Sequence, residues 1–368
     1  MWPSTRLLDL LGIELPIIQA PMGGGFATVE LAAAVSEAGG LGSLGLSTAS
    51  PEAVKAEIQR FRSLSQKPLN ANFFCHDDQP SDKARHQAWH DQLAPYRTEA
   101  GLGADMPPPI PRPPFDATMC AVIEDVRPEV VSFHFGLPDS TLIARVKAAG
   151  CRVLASATTV AEACYLEERG VDAIVAQGYE AGGHRGMFLT RELASQPSTM
   201  ALVPQVVDTV RIPVVAAGGI GDARGIIAAL ALGASGVQMG TAFLFCPEAG
   251  LSPLYRAALR TAEADQTIVA NVFTGRPARV LRNRFVLEVG PIAEKAPFFP
   301  TASVHFQRLR EAAEAQGSTD FTPLWAGQAA RLGREIPAGQ LIHLLATEAR
   351  DLLVRLSGGG LPSEQPGE

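Results

Sequence analysis

Polar and glycine-rich residues recur at the ends of short apolar runs. Gln19-Ala20-Pro21-Met22-Gly23-Gly24-Gly25 closes the first run, Asn70 and Asn72 share one face of the third, and Ser132-Phe133-His134-Phe135-Gly136 ends the fourth. The loop Gln177-Gly178-Tyr179-Glu180-Ala181-Gly182-Gly183-His184-Arg185-Gly186 follows the sixth, Ala217-Gly218-Gly219-Ile220-Gly221-Asp222 the seventh, and Gln238-Met239-Gly240-Thr241 the eighth. His134 stands between two phenylalanines that can exclude water, which suits a general base near neutral pH. His184 reads either as a second pocket residue or, with Arg185, as a positive patch on the rim. Gly218-Gly219 and Gly240-Thr241 let backbone N–H groups converge on a small anion such as a phosphomonoester. A helix opening at Asp222 would add its positive end there, unless Asp222 only caps it.

Several chemistries lack their signatures. There is no GxGxxG after the first run and no GxxxxGK[ST], which argues against a Rossmann dinucleotide site and a P-loop. There is no HExxH and no Gly-x-Ser-x-Gly elbow. Neither site histidine has Asp, Cys or Glu at metal spacing, so no catalytic metal is expected.

The eight apolar runs need elements that bring their ends together. They are 16–19, 42–46, 69–73, 130–133, 152–155, 173–176, 213–216 and 236–239, and they lack polar alternation, as parallel strands covered on both faces do. Helical periodicity fills 28–38, 51–63, 116–126, 138–149, 159–169, 198–209 and 222–232, and Gly150, Gly170 and Gly233 read as helix C-caps before the next strand. The expected fold is α/β, a TIM-like (β/α)8 barrel over 8–248 whose site lies at the C-terminal ends of the strands. A doubly wound open sheet is the alternative. An excursion at 75–115 follows the third strand, its prolines resisting regular helix. A mostly helical segment at 249–356, with helices near 251–263, 302–316, 321–333 and 338–356, is expected on the C-terminal face of the barrel, and 357–368 as a disordered tail.

Composition narrows the partners. Lys plus Arg total 31 against 38 Asp plus Glu, a net charge of −7, which offers no basic footprint for nucleic acid. The five cysteines are odd in number and without CxxC spacing, as expected of thiols in a reducing cytoplasm. The uncharged stretch between Arg224 and Glu248 is broken at Leu232-Gly233-Ala234-Ser235-Gly236, so it reads as helix plus strand rather than a membrane span. The first residues carry Arg6, Asp9 and Glu14 through their apolar part, unlike a signal peptide.

Taken together, these strand-end motifs resemble the nitronate monooxygenase family, formerly the 2-nitropropane dioxygenases. The resemblance extends to Thr274-Gly275-Arg276-Pro277-Ala278-Arg279, Asn283-Arg284-Phe285 and Trp325-Ala326-Gly327-Gln328, and spans residues 8–352. It implies a flavoprotein with FMN as cofactor that oxidises alkyl nitronates with O2 to a carbonyl compound and nitrite, without NAD(P)H. Neutral nitroalkanes are a further possible substrate. It places FMN against Pro21, Met22, Gly23, Asn72, Gln177, Gly182, Gly183, Gly218, Gly219, Gln238, Met239, Gly240 and Thr241. His134 would correspond to the catalytic histidine and His184 to a second histidine of the substrate pocket. The 75–115 stretch departs from the common bacterial pattern. An FMN- and NAD(P)H-dependent enoyl-thioester reductase is the competing enzyme, and a flavin-free phosphate-binding barrel a competing class.

Overall fold

The computed structural model describes residues 2–77, 82–105, 112–262 and 266–358. Each expected run forms a strand: β1 (Ile17–Gln19), β2 (Gly42–Gly45), β3 (Leu69–Phe74), β4 (Val130–His134), β5 (Arg152–Ala157) and β6 (Ala173–Gln177). A two-residue β7 (Gly183–His184) lies in the loop after β6, and β8 (Val214–Ala217) and β9 (Gly236–Met239) complete the set. These eight long strands run parallel in the order β1-β9-β8-β6-β5-β4-β3-β2. The ring closes where Ile18 bridges Leu41, with Leu41 N–H donating to Ile17 O and Gln19 N–H to Leu41 O, each at 3.0 Å.

Local chemistry explains the alternation. Thr28, Ser50, Asp116, Thr159 and Ser198 each accept a backbone N–H in the first turn of the helix they precede. At the other ends Gly150, Gly170 and Gly233 take positive φ, so the expected caps are present. One apolar layer, including Ile17, Leu44, Phe73, Phe133 and Ile174, packs strands against helices. A second, with Ile18, Leu154, Val175 and Val215, fills the barrel interior and is plugged from below by Leu7 and Leu11 of the helix Arg6–Leu11.

Four elements differ from the sequence reading. The excursion after β3 holds two helices, Lys83–Gln92 and Ala94–Glu99. Its prolines bracket the first helix, which Asp82 caps, and Pro95 stands in the first turn of the second, where it is tolerated. The proline-rich 106–111 lies outside the described residues, as does the tail from 359 on. Residues 321–333 are not an α-helix: Pro323 and Gly327 interrupt them, Trp325 bridges Val280, and only Ala330–Leu332 form a 3-10 turn. A small antiparallel sheet also appears, β10 (Thr267–Ala270) with β11 (Ala278–Leu281) and β11 with β7. It binds the C-terminal segment to the loop after β6. The final helix, Ala338–Ser357, leaves the mouth and packs on the barrel flank against the helices Val29–Glu37 and Ala223–Ala231, burying Leu341, Ile342 and Leu345.

The flank is tight. A Cβ on Gly42 of β2 would stand 2.0 Å from Ala32 O in the helix that covers it. Gly42→Ala should therefore force strand and helix apart and lower unfolding free energy by at least about 2 kcal/mol, read from the urea midpoint at constant m.

Candidate active site

The strand tips enclose one cavity of about 440 Å³, within the range that holds a cofactor and a small substrate. Pro21, Met22, Gly23, Asn72, His134, Gln177, Gly182, Gly183, His184, Gly218, Gly219, Gln238, Gly240 and Thr241 all line it. Met239 does not: its side chain is buried in the strand–helix layer, while its carbonyl accepts Ala20 N–H at 2.8 Å. Asn70, one pleat deeper than Asn72, is fully buried and donates to Ser43 Oγ.

Strand order divides the mouth. The tips of β1, β9, β8 and β6 are consecutive and carry the glycines, and β4 with His134 stands diametrically across the ring from β9. Backbone alone fits at the glycine side. Gly218 and Gly219 have φ of 108° and 71°, and a Cβ on Gly218 would lie 2.9 Å from Ala181 N. A Cβ on Gly240 would face Ala20 and Met22, both cavity residues. These bare backbone tips, with neutral amide side chains and no convergent metal ligands among the described residues, fit a flat cofactor with a phosphomonoester such as FMN. Gly218, Gly219, Gly240 and Thr241 would hold the phosphate. The helix Ala223–Ala231 contributes no open end, because Asp222 accepts Arg224 N–H at 2.9 Å and pairs with the Arg224 guanidinium.

The loop after β6 is braced from within. Arg185 is fully buried, and its guanidinium donates to Gly178 O at 2.6 Å, Gln177 O at 2.9 Å and Gln196 Oε1 at 2.9 Å. The reading of His184-Arg185 as a charged rim patch is thereby corrected for Arg185, whose charge is spent on backbone carbonyls. Arg112 and Arg310 are the cationic side chains of the lining. Gln177 spans the same loop, donating to His184 O at 3.0 Å and accepting Gly186 N–H at 2.8 Å. Gly186 must be glycine, since a Cβ would come within 2.8 Å of the His134 ring.

His134 Nε2 lies 3.2 Å from His184 O, an atom that can only accept, so Nε2 carries the proton. Nδ1 then accepts from Ser156 Oγ at 3.0 Å. His184 Nε2 meets Thr274 Oγ1 at 2.9 Å, and its ring packs on Trp325 with centroids 5.2 Å apart. Burial first, then the Arg276 guanidinium, push the His134 pKa down to about 3. His184 is also pushed down to about 3, by burial and then by His134, Arg276 and Arg112. Both rings are neutral at physiological pH. Phe74, Phe135 and Phe299 surround them. Phe135 has φ of 72°, a left-handed conformation that costs a non-glycine residue about 1 kcal/mol, and Phe74, Phe299 and Arg276 hold its ring in place.

Sequence reasoning did not single out Ser156 or Phe299, and it gave Thr274 and Arg276 only within a motif of the resemblance, without a role. Only Ser156, a polar residue near the tip of a buried strand, carried the signal used for the others.

The nitronate monooxygenase family model matches residues 4–348. The chain belongs to the nitronate monooxygenase family. A nitronate monooxygenase of Pseudomonas aeruginosa is 45% identical over 352 residues, covering 94% of this chain and 99% of the relative. The crystal structure of a nitroalkane oxidase from Streptomyces ansochromogenes superposes with a TM-score of 0.86 at 40% identity, covering 95% and 99%. FabK from Thermotoga maritima gives 0.71 at 30%, covering 96% and 99%. The match to the nitronate monooxygenase family takes in the barrel, the loop after β6 and every cavity residue named above. No helix among the described residues is long and apolar enough to cross a membrane.

Two outcomes follow from these buried groups. Arg185→Met should leave three acceptors without donors and destabilise the fold by at least about 2 kcal/mol in urea unfolding. The depressed histidines give a definite sign with pH. Unfolded imidazoles take up protons below about 6.5 while the folded ones stay neutral, so their contribution is complete above that pH and is lost as pH falls toward about 3. The urea midpoint should drop from pH 7 to pH 5, and His134→Asn should flatten that drop.

Proposed function

We propose that this protein is a cytoplasmic FMN-dependent enzyme that oxidises alkyl nitronates with O2 to a carbonyl compound and nitrite. The observation that carries the reading is one cavity with bare glycine backbone on one side and a half-buried, neutral histidine pair on the other. The family match and the Pseudomonas and Streptomyces relatives support the substrate class. FMN, when bound, supplies the one-electron acceptor for the nitronate.

The rest falls to the side chains. Arg112 and Arg310 draw an anion toward the mouth. Phe74, Phe299 and Trp325 give the histidine side of the cavity an apolar wall for a small substrate, and Phe135 packs against the His134 ring. A nitronate has already lost its α proton, so it needs no base. A neutral nitroalkane does, and the acceptor is His134 Nδ1 after the Ser156 hydroxyl turns away. An imidazole held at about 3 is a weak base, so nitronates are the favoured form. The competing reading, an FMN- and NAD(P)H-dependent enoyl-thioester reductase, predicts NADH consumption with an enoyl thioester in place of oxygen uptake with a nitronate.

The acid-released cofactor should run as FMN, and FAD would contradict the assignment of the phosphate loops. In His134→Asn with unchanged FMN content, kcat/KM by oxygen uptake should fall at least about 100-fold for nitroethane. For ethylnitronate it should stay within about tenfold of the native value, the scale of one lost hydrogen bond. Equal losses on both substrates would remove the base role from His134.

A further inference from the structure

Residues 325–333 run outside the barrel, yet they touch three of the glycine loops at its mouth. Trp325 bridges Val280 of β11, and its carbonyl accepts the Tyr255 hydroxyl at 2.8 Å. Gln328 N–H donates to Glu180 O in the loop after β6 at 3.1 Å. In the same loop Gly182 meets Gly327 backbone to backbone, since a Cβ on Gly182 would stand 2.5 Å from Gly327 N. Leu332 and Ala329 cover Gly221 after β8, where a Cβ would lie 2.8 Å from the Leu332 side chain. Gly327 N–H donates to Thr241 Oγ1 after β9 at 2.9 Å. The stretch is thus a strap across the cavity, with the Trp325 ring on His184 at one end and Gly327 and Ala329 in the lining on the glycine side.

The bond to Thr241 sets the direction of a hydroxyl. An oxygen that accepts an N–H keeps one proton of its own to give, and a backbone N–H cannot take it. Among the described residues that proton has no acceptor, and Thr241 lines the cavity beside Gly240. The hydroxyl is therefore left to donate into the cavity, on the side where Gly218, Gly219 and Gly240 present bare backbone. A phosphomonoester is the acceptor that suits it, because hydrogen bonds to an ionised oxygen are about twice as strong as neutral ones.

We propose that Gly327 is a positioning residue: its N–H turns the Thr241 hydroxyl onto the cofactor phosphate, so that strap and phosphate hold one another in place. Phosphate at one end of the cavity then fixes Trp325 against His184 at the other. The inference rests on the FMN reading of the glycine side and not on the reaction, and it extends the cofactor site to a stretch outside the barrel.

The test uses the whole chain stripped of flavin and reloaded with FMN or with riboflavin, which keeps the ring system and ribityl chain but has no phosphate. Dissociation constants come from quenching of flavin fluorescence, and hydrogen exchange is followed at the amides of 325–333. In the native protein saturating FMN should slow exchange there at least about tenfold more than saturating riboflavin does. Thr241→Val should weaken FMN at least about tenfold, the scale of a lost hydrogen bond to a charged group, and leave riboflavin within about twofold. Thr241→Ser, which keeps the hydroxyl, should stay within about twofold of native for both flavins. Gly327→Ala brings a Cβ to 3.0 Å from Glu180 O and lifts the strap. It should weaken FMN at least about threefold with riboflavin unchanged, and the double variant with Thr241→Val should lose no more than Thr241→Val alone. If Gly327→Ala does not fold, the Thr241 pair and the exchange of the native protein carry the comparison. Equal losses for both flavins, additive losses in the double variant, or equal protection of the strap by both flavins overturns the proposal. Failure of the FMN reading shows differently, as native protein that binds riboflavin as tightly as FMN, and it overturns both.

Discussion

The buried cation Arg185 organises the mouth of this barrel, with Arg279 donating to Tyr179 O of the same loop. Arg185 has no carboxylate in its hydrogen-bonding sphere and is satisfied by the carbonyls of Gln177 and Gly178 and the side chain of Gln196. Those bonds fold the loop after β6 back over the strand ends. The fold-back makes β7, which pairs with β11 and so fastens the C-terminal segment to the barrel. It also points His184 O at both His134 and Gln177. An unsatisfied guanidinium or carbonyl in that position would be expensive in a low-dielectric interior, so the loop has one arrangement that satisfies all of its polar groups.

Partial desolvation follows from this closure and sets the electrostatics. With the loop in place, both imidazoles are enclosed by Phe74, Phe135, Phe299 and Trp325, and the neighbouring guanidiniums oppose their protonation. A neutral histidine pair beside a cationic lining tolerates an anionic substrate without binding a proton of its own. The glycine tips of β1, β8 and β9 complete the site from the opposite side, where side chains would block a flat cofactor.

The barrel was legible because parallel strands buried on both faces are continuous apolar runs and their helices carry period, caps and C-terminal glycines. Every run from 16–19 to 236–239 lies on a strand. The site was legible as far as strand ends reveal it, which covers His134, His184 and the glycine pairs. Met239 was misplaced because alternation along β9 turns it into the outer layer, away from its neighbours Gln238 and Gly240. Arg185 looked like surface charge, since nothing local announces that a cation will be saturated by carbonyls of its own loop. The C-terminal segment was hardest. Its short strands pair across about a hundred residues, and the helical look of 321–333 yielded to Pro323, Gly327 and the bond from Gly327 N–H to Thr241 Oγ1. Thr274 and Arg276 reach the histidines through such tertiary contacts, which one-dimensional pattern cannot show.

The central claim is that the site accepts a preformed anion without needing to remove a proton. The direct measurement is anaerobic stopped-flow mixing of the flavin-loaded protein with ethylnitronate or with nitroethane, followed by the absorbance of the oxidised flavin. The account predicts prompt bleaching with ethylnitronate, much slower bleaching with nitroethane, and none in the same interval with NADH. Bleaching as fast with nitroethane as with its nitronate, or bleaching by NADH alone, would contradict it.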